Sequence, residues 1–473
     1  MAFKLYDYQE DLIARARASI GKNKRIIMQA PTGAGKTIIA SEIISNAAER
    51  GGVFFLVHQD ELLKQTSESF WKAKIPHGLC ISGQVKTPHS VQLASIMTLK
   101  NRLTKYDAPS LIVIDEAHRA VASTYQTIIK NWPNAYVVGL TATPQRTDGK
   151  GLGEVFNDIV KGPSIRYLID QGKLCDYELY GVPQKVELDN VRTTAGEFNK
   201  GDLERESMKP QIIGDAVAHY QKIANGVRCV VMCATIKHAE MVAKQYNEAG
   251  IPAEALHGLS DDRTGVIKRF ETGETMVVAS VQLLIEGVDI PMIGCVQWLR
   301  PTKSLVIWMQ GNGRGLRTHE SKKKLIILDH VGNWSRHGLP DMDRDWSLEG
   351  DKKQGRKQSD PDSLGVQVCG ECFFSFQSGV KECPHCGHEV PFKERKLEVV
   401  DGELQRIQAA AQAEREQKER KQEQGRAREL GELVELGLRR GHRAPDAWAA
   451  RVYAARQGRK ANAADYARAK GYL

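Results

Sequence analysis

The sequence predicts an α/β protein with two tandem parallel-sheet lobes, followed by a small metal-binding module and a helical tail. Short apolar runs alternate with helical patterns in two successive series, which is typical of parallel sheets covered by helices. A glycine-rich loop joins the first run to its helix, and two Cys-x-x-Cys pairs follow the second series. The 473 residues are enough for two such cores and accessory parts.

Shifts in composition divide the chain into six predicted segments. They are a first lobe at 1–170, a second lobe at 171–340 with a connecting segment at 187–208, a polar linker at 341–366, a four-cysteine module at 367–392, a charged helical spacer at 393–429 and a basic helical module at 430–473. The linker and the spacer lack long apolar runs, so neither is expected to form a core. We expect the linker to be partly disordered.

The glycine-rich loop of the first lobe has the pattern of a phosphate cradle. Residues 25–28 predict a buried strand, residues 37–44 predict the following helix, and the loop between them ends in Gly-Ala-Gly-Lys-Thr. Glycines there let backbone N–H groups face phosphate oxygens at a helix N-terminus. Lys36 would reach the β- and γ-phosphates, and Thr37 would ligate Mg²⁺. A glycine-rich turn without a ligand is the alternative, which the flanking strand and helix disfavour. The predicted nucleotide-binding residues of the loop are Thr32, Gly33, Gly35, Lys36 and Thr37.

Two carboxylates follow the apolar run at 111–114. This run predicts a strand that delivers Asp115 and Glu116 to the edge where parallel sheets bind ligands. One carboxylate would hold Mg²⁺, and its neighbour would orient and deprotonate the attacking water. A solvated acidic helix cap is the alternative, and the cradle upstream makes it the weaker one.

A second series of apolar runs predicts another parallel sheet. The runs lie at 229–232, 276–279, 294–298 and 325–328, with helical patterns between them. This half of the sequence has no phosphate cradle, so one nucleotide is expected at the junction of the lobes. Arginines in the segment 310–317 would complete the site when the cleft closes.

The order of these motifs resembles that of superfamily 2 helicases with a DEAH-type second motif, and it is closest to their XPB-like and RadD-like branch. The matching stretches are 5–9, 30–37, 56–65, 94–99, 115–118, 141–148, 281–291 and 310–317. The resemblance implies two RecA-like lobes, dependence on ATP, and movement along nucleic acid in the 3′→5′ direction.

The resemblance also implies roles for the matched residues. Gln9 would contact adenine, Asp115 would hold Mg²⁺, and Glu116 would be the catalytic base. His118, Thr141 and Thr143 would couple hydrolysis to motion. Gly287 and Asp289 would contact the ribose or the switch region. Gln310, Arg314 and Arg317 would complete the catalytic site.

Four of the nine cysteines form two closely spaced pairs, and the other five are scattered through the lobes as expected core thiols. The pairs are Cys369 with Cys372 and Cys383 with Cys386. Four thiolates at this spacing can converge tetrahedrally on one Zn²⁺, and RadD-like proteins also carry zinc-binding cysteines after the motor lobes. A redox or disulfide role is the alternative, which a reducing compartment disfavours. Phe373, Phe374 and Phe376 either stack on nucleobases or form the core of the module, and the core interpretation is favoured.

The charge of the chain bears on its partners. A formal net charge of +9 fits a polyanion such as nucleic acid. DNA is the favoured substrate. An RNA-remodelling helicase, or a duplex translocase or nucleic-acid-stimulated ATPase without strand separation, is the alternative because motor motifs contact mainly the backbone. The basic module at 430–473 would bind nucleic acid or replication and repair proteins, or would dock against the lobes.

The sequence contains no apolar run long enough to cross a bilayer and no signal-peptide pattern. We therefore expect a cytoplasmic protein without membrane partners, acting at a bacterial nucleoid or in a phage-infected cell. We also expect it to be monomeric in solution.

Overall fold

The computed structural model describes residues 4–58, 60–181, 193–194, 197–198, 210–281, 290–350, 366–377, 380, 382–389, 427, 429–440, 442, 444–457 and 461–472. The chain separates into two compact units, residues 1–391 and 392–473. The larger unit contains both lobes and the four-cysteine module.

The first lobe is a parallel sheet covered by helices. Its described strands are β1 (Arg25–Gln29), β2 (Val53–Val57), β3 (His77–Cys80), β4 (Val91–Ser95), β5 (Leu111–Asp115), β6 (Tyr136–Thr141) and β7 (Asp158–Lys161). All their pairings are parallel, in the order β3-β4-β2-β5-β6-β1-β7. Its described helices are α1 (Asp7–Asn23), α2 (Lys36–Ala48), α3 (Asp60–Lys72), α4 (Ile96–Lys100), α5 (Ser123–Asn131) and α6 (Ile165–Asp170).

The second lobe repeats this architecture. Its described strands, including a short hairpin of β9 and β10, are β8 (Asp176–Gly181), β9 (Thr193–Thr194), β10 (Glu197–Phe198), β11 (Cys229–Met232), β12 (Ala253–Leu256), β13 (Val277–Ser280), β14 (Cys295–Trp298) and β15 (Lys324–Asp329). The main sheet is parallel, in the order β12-β13-β11-β14-β15-β8. Its described helices are α7 (Pro210–Ile223), α8 (Ile236–Glu248), α9 (Arg263–Thr272), α10 (Leu305–Gly315) and α11 (Asn333–His337).

Both sheets lie where the apolar runs predict them, which confirms the two-lobed α/β fold. The strands are continuous apolar runs because helices cover both faces of each sheet. Side-chain caps fix where three second-lobe helices begin. Thr235, Asp262 and Ser304 each accept a hydrogen bond from the backbone N–H three residues ahead, which satisfies a donor that the first helical turn leaves unpaired.

The chain crosses between the lobes at the predicted boundary of residues 170 and 171, and before the connecting segment predicted at 187–208. Strand β8 pairs with β15 in the second sheet, so the crossing occupies residues 162–175. The predicted connecting segment at 187–208 follows this crossing, and apart from the β9–β10 hairpin it lies outside the described residues. The predicted linker at 341–366 also differs, because residues 341–350 lie against the lobes. For example, the Gly153 N–H donates to the Leu348 carbonyl at 2.9 Å.

The four-cysteine module rests on the edge of the second sheet. It contains the hairpin of β16 (Val366–Val368) and β17 (Ser375–Gln377). The Gly181 N–H of the edge strand β8 donates to the Phe373 carbonyl at 3.0 Å, and Phe374 forms an antiparallel bridge with Tyr180. Phe376 is only 6% exposed and packs against Cys369 and Cys383. These contacts favour the core interpretation for Phe374 and Phe376.

The second unit is a small helical bundle. Its described helices are α12 (Leu430–Arg439), α13 (Pro445–Arg456) and α14 (Ala463–Lys470). Leu433 and Val434 pack against alanines such as Ala450 and Ala469, whose small side chains allow the helices to approach closely. Most of the predicted spacer at 393–429 lies outside the described residues. None of the described helices is long and apolar enough to span a membrane.

Candidate nucleotide site and metal centres

The glycine-rich loop forms a cradle between β1 and α2. Gly33 and Gly35 have φ angles of 88° and 79°, in the left-handed region that glycine adopts without strain. A Cβ on Gly33 would lie 2.5 Å from Leu174 Cδ2, so a larger residue would also force the Leu174 side chain to move. Helix α2 begins at Lys36, directly after Gly35, and its free N–H groups therefore face the loop.

Side chains from α1 brace this loop. Gln9 is 1% exposed, and its Nε2 donates to the Ala34 carbonyl at 3.1 Å. The Tyr8 hydroxyl donates to the same carbonyl at 3.2 Å. Gln9 Oε1 accepts from the Tyr6 N–H at 3.0 Å. In this structure Gln9 therefore fixes the cradle backbone, and the contact with adenine that the resemblance implies stays a prediction.

The two predicted carboxylates stand at the end of β5. Glu116 adopts a left-handed conformation with φ 48° and ψ 53°, which is strained for a residue with a side chain and is often found at functional sites. Its N–H donates to Asp115 Oδ1 at 3.0 Å. Burial and the neighbouring Glu116 raise the pKa of Asp115. Burial also acts to raise the pKa of Glu116, but the hydrogen bond from His118 and the charge of Lys36 outweigh it and lower that pKa.

A chain of polar contacts runs from Glu116 into the first lobe and toward the second. Gln310 Nε2 on α10 donates to Glu116 Oε2 at 3.3 Å. His118 Nδ1 lies 3.3 Å from the same oxygen and 3.4 Å from Thr141 Oγ1. Thr141 Oγ1 in turn donates to the Thr143 carbonyl and accepts from the Thr143 N–H, both at 3.1 Å. A second-lobe helix is thus connected through the predicted base to His118, Thr141 and Thr143, the predicted coupling residues.

Lys36 points into a cleft of about 620 Å³ between the lobes. The cleft is lined from the first lobe by Thr32, Gly33, Gly35, Thr37, Asp115 and Glu116, and from the second by Gln310, Arg314 and Arg317. Burial is the main cause that lowers the pKa of Lys36; the two carboxylates oppose it, and the two arginines add to it. A bound triphosphate would balance these three cations, and the volume is typical of small-molecule sites.

The lobes touch closely beside this cleft. A Cβ on Gly313 of α10 would lie 2.7 Å from Thr32 Cβ, so only glycine lets the helix approach the cradle this closely. Leu174 of the crossing segment forms an antiparallel bridge with Arg317, and Lys173 also lines the cleft. Lys173 and Leu174 belong to no motif in the sequence that would have identified them.

The remaining predicted residues fall into two groups. Thr37 and Asp115 both line the cleft, and a hydroxyl with a carboxylate is a donor set that suits Mg²⁺. Gly287 and Asp289 lie outside the described residues, so their predicted roles stay predictions.

The four cysteines of the C-terminal module converge on one point. Their sulfur atoms all lie within 4.8 Å of one another. The Sγ atoms of Cys369 and Cys386 are 3.7 Å apart, and those of Cys372 and Cys383 are 3.6 Å apart. Zn–S bonds of about 2.3 Å in a tetrahedron give S···S distances of about 3.8 Å, whereas a disulfide bond is about 2.05 Å long. The arrangement therefore fits one Zn²⁺ and does not fit disulfide pairs.

Two protein families match parts of the chain. The family described as "Type III restriction enzyme, res subunit" matches residues 2–146, and the family described as "Helicase conserved C-terminal domain" matches residues 208–319. A 51.5 kDa protein of a Lactococcus phage is 32% identical over 389 residues, covering 81% of this chain and 82% of the phage protein. IRC3 of Saccharomyces cerevisiae, which is named as an ATP-dependent helicase, is 32% identical over 69% of this chain and 51% of IRC3. The chain belongs to the superfamily 2 helicases.

Two further comparisons extend this assignment. The helicase is 24% identical to the DNA 3′-5′ translocase XPB2 of Sulfurisphaera tokodaii, over 69% of this chain and 81% of XPB2. A fragment of an HsdR subunit of a type I restriction enzyme from Vibrio vulnificus has the same fold, with a TM-score of 0.57, 21% identity, and coverage of 70% of this chain and 65% of the fragment. As a member of its superfamily, the helicase hydrolyses ATP and acts on nucleic acid as a helicase or translocase.

Proposed function

We propose that this helicase moves 3′→5′ on DNA and separates its strands, using one ATP site between its two lobes. The observation that carries the mechanism is the shared cleft, where the phosphate cradle of the first lobe faces Arg314 and Arg317 of the second. DNA and the direction rest on the similarity to XPB2 and on the motif pattern of the XPB-like branch.

Each residue of the cleft has a role that follows from its position. Lys36 and the N–H groups of the cradle hold the phosphates, while Thr37 and Asp115 would hold Mg²⁺, which supplies charge neutralisation on the phosphate oxygens. Glu116 accepts the proton of the attacking water. Arg314 and Arg317 stabilise the charge that develops on the transferred phosphoryl group.

The same geometry gives a route from chemistry to motion. Gln310 contacts Glu116 only while α10 lies against the first lobe, so cleft opening would break this link. His118 and Thr141 connect Glu116 to the strand β6. Opening and closing of the cleft during the ATP cycle would then shift one lobe along the nucleic-acid backbone relative to the other.

The test is ATP hydrolysis measured without polymer and with single-stranded DNA, duplex DNA or RNA of matched sequence. Partial duplexes with a 3′ or a 5′ single-stranded tail are then scored for strand release. We expect stimulation by DNA and release from the 3′-tailed substrate. Stimulation by duplex DNA without release would identify a translocase, a preference for RNA would overturn the choice of substrate, and release only from the 5′-tailed substrate would reverse the direction.

We also propose that the four-cysteine module binds one structural Zn²⁺, because its sulfur atoms have the spacing of a tetrahedral site. We expect elemental analysis of the purified protein to find one zinc per chain. Cys383→Ser should lose most of that zinc and should lower the melting temperature, because the metal replaces a larger core in so small a module.

The matched control is Cys233→Ser, which alters a buried cysteine of the second lobe outside the module. It should retain one zinc per chain. A wild-type protein without zinc, or a Cys383→Ser variant with full zinc content, would contradict this proposal.

A further inference from the structure

Among the residues that the structure describes, two segments connect the lobes, and they lie side by side. The crossing segment, residues 162–175, leads from β7 to β8. A second segment, residues 338–350, leads from the end of α11 back to the first lobe, and we call it the strap. Within the described part of the chain, these two segments are the covalent paths between the sheets.

The first residues of the strap are attached to α10, the helix that carries Arg314. The Trp308 indole N–H on α10 donates to the Gly338 carbonyl at 3.2 Å. The ring of His337, directly before Gly338, stacks on Trp308 with ring centroids 6.2 Å apart, while Leu339 and Met342 pack against a core cluster that contains residues of both lobes. The start of the strap therefore moves with α10.

The strap ends fixed to the first lobe. Leu348 packs against the core cluster that contains Leu152, and Gly350 forms an antiparallel bridge with Lys150. A Cβ on Gly151 would lie 1.9 Å from the Leu348 carbonyl oxygen. The backbone of the first lobe is thus shaped to receive the strap, which would be unexpected for a loose linker.

Between these anchors, Asp341 joins the strap to the crossing segment. Arg166 on α6 donates to Asp341 Oδ2 from Nε at 2.8 Å and from Nη2 at 2.5 Å. The Tyr177 hydroxyl of β8 donates to the other oxygen of Asp341. The Asp341 side chain is only 13% exposed, and Arg166 also lies 3.6 Å from Asp176 and 3.9 Å from Asp170.

An exposed arginine–carboxylate pair usually contributes little to stability or to conformation. Asp341 differs because it is mostly buried, has two donors on different elements, and lies three residues from an anchor. Three residues span at most about 10 Å even when fully extended, so α10 cannot move far from α6 while Arg166 holds Asp341. The Lys161–Asp345 contact at 2.7 Å is more exposed, with Asp345 at 75%, and should contribute less.

We infer that Asp341 is a positioning residue for ATP hydrolysis. By binding Arg166, it limits opening of the cleft and keeps Arg314 and Arg317 beside the phosphate cradle between catalytic cycles. This inference rests on the proposed roles of those two arginines.

The test compares Asp341→Ala with the control Glu254→Ala. Glu254 accepts a similar forked contact from Arg269, at 2.6 Å and 2.9 Å, but both residues belong to the second lobe. In Asp341→Ala we expect the kcat without nucleic acid to fall by about fivefold, as for loss of one charge-assisted contact. The KM for ATP should hardly change because the cradle belongs to the first lobe. In the proposed function nucleic acid contacts both lobes, so saturating nucleic acid should restore most of kcat and the stimulation factor should rise.

A purely structural role would give a different pattern, with a lower melting temperature and an equal loss of basal and stimulated kcat. That pattern, or an unchanged basal kcat, would overturn the inference. Asp341→Glu keeps the carboxylate and should restore activity toward wild type. If Asp341→Ala does not fold, the same measurements are made on Arg166→Gln, because Arg166 is the more exposed partner of this contact. Retained turnover in Lys36→Ala would instead refute the proposed function, so the two failures can be distinguished.

Discussion

Replacing Lys36 with alanine is expected to lower the kcat of ATP hydrolysis by about a thousandfold, as for loss of a preorganised cation at a reacting phosphate. Lys36 is the first residue of α2, and its ammonium group lies in the cleft with Asp115 and Glu116. Arg314 and Arg317 approach from the other lobe and cannot replace it, because closing the cleft around phosphates depends on the cradle first binding them.

The measurement is steady-state phosphate release with and without single-stranded DNA, together with a melting curve. Lys22→Ala is the matched control, since Lys22 is an exposed lysine in the last turn of α1 and should leave kcat unchanged. Both variants should melt near the wild-type temperature, because neither lysine fills the core. Turnover within a few-fold of wild type in Lys36→Ala would refute the assignment of the cradle.

The parts of the fold that could be predicted from the sequence are those formed by contiguous residues. A buried parallel strand is a short apolar run, and such runs at 25–28, 111–114 and 229–232 all became strands. The cradle is likewise one continuous motif, so the position of Lys36 at the start of α2 could be predicted without knowing the rest of the fold. The carboxylate pair at the end of β5 followed for the same reason.

The parts that sequence reasoning missed depend on contacts between distant residues. Asp341 and Arg166 are 175 residues apart in sequence, and a lone aspartate in a polar stretch has no pattern that identifies its partner. Residues 341–350 therefore resembled a linker. The boundary predicted at residues 170 and 171 lies inside the crossing segment, but the connection was expected at 187–208, because the short helix α6 after β7 continues the α/β alternation of the first lobe. The docking of the cysteine module on β8 also depends on backbone groups of Gly181 and Phe373, which no residue type encodes.

Two of the missed elements, the crossing segment and the strap, have one consequence in common. They join the lobes at the side of the cleft, through Leu174 against Gly33 and through the strap, whereas the predicted motifs supply the chemistry inside it. Sequence motifs thus identified the groups that we propose act on ATP, and the structure adds the contacts that hold the two sets of groups close together.

Glu116→Gln is expected to bind ATP but to hydrolyse it about a thousandfold more slowly, which is typical of removing a general base. Glutamine has nearly the same size, so its amide oxygen can still accept from Gln310 and its amide group can keep the position of the side chain. An amide cannot take a proton from the attacking water. Binding should therefore survive while chemistry fails, and α10 should stay against the first lobe.

The measurement is a pair of values, the kcat for hydrolysis and the amount of ATP retained after rapid gel filtration. Glu116→Gln should retain more unhydrolysed ATP than wild type, while Lys36→Ala should retain almost none. Glu10→Gln, at an exposed carboxylate of α1, should match wild type in both values. Loss of both binding and turnover in a folded Glu116→Gln protein would mean that Glu116 holds the nucleotide or its metal, and near-normal turnover would exclude it as the base. In the Glu116→Gln protein with ATP bound, α10 should stay against the cradle. This is expected if the contact between Gln310 and residue 116 keeps the second lobe beside the first.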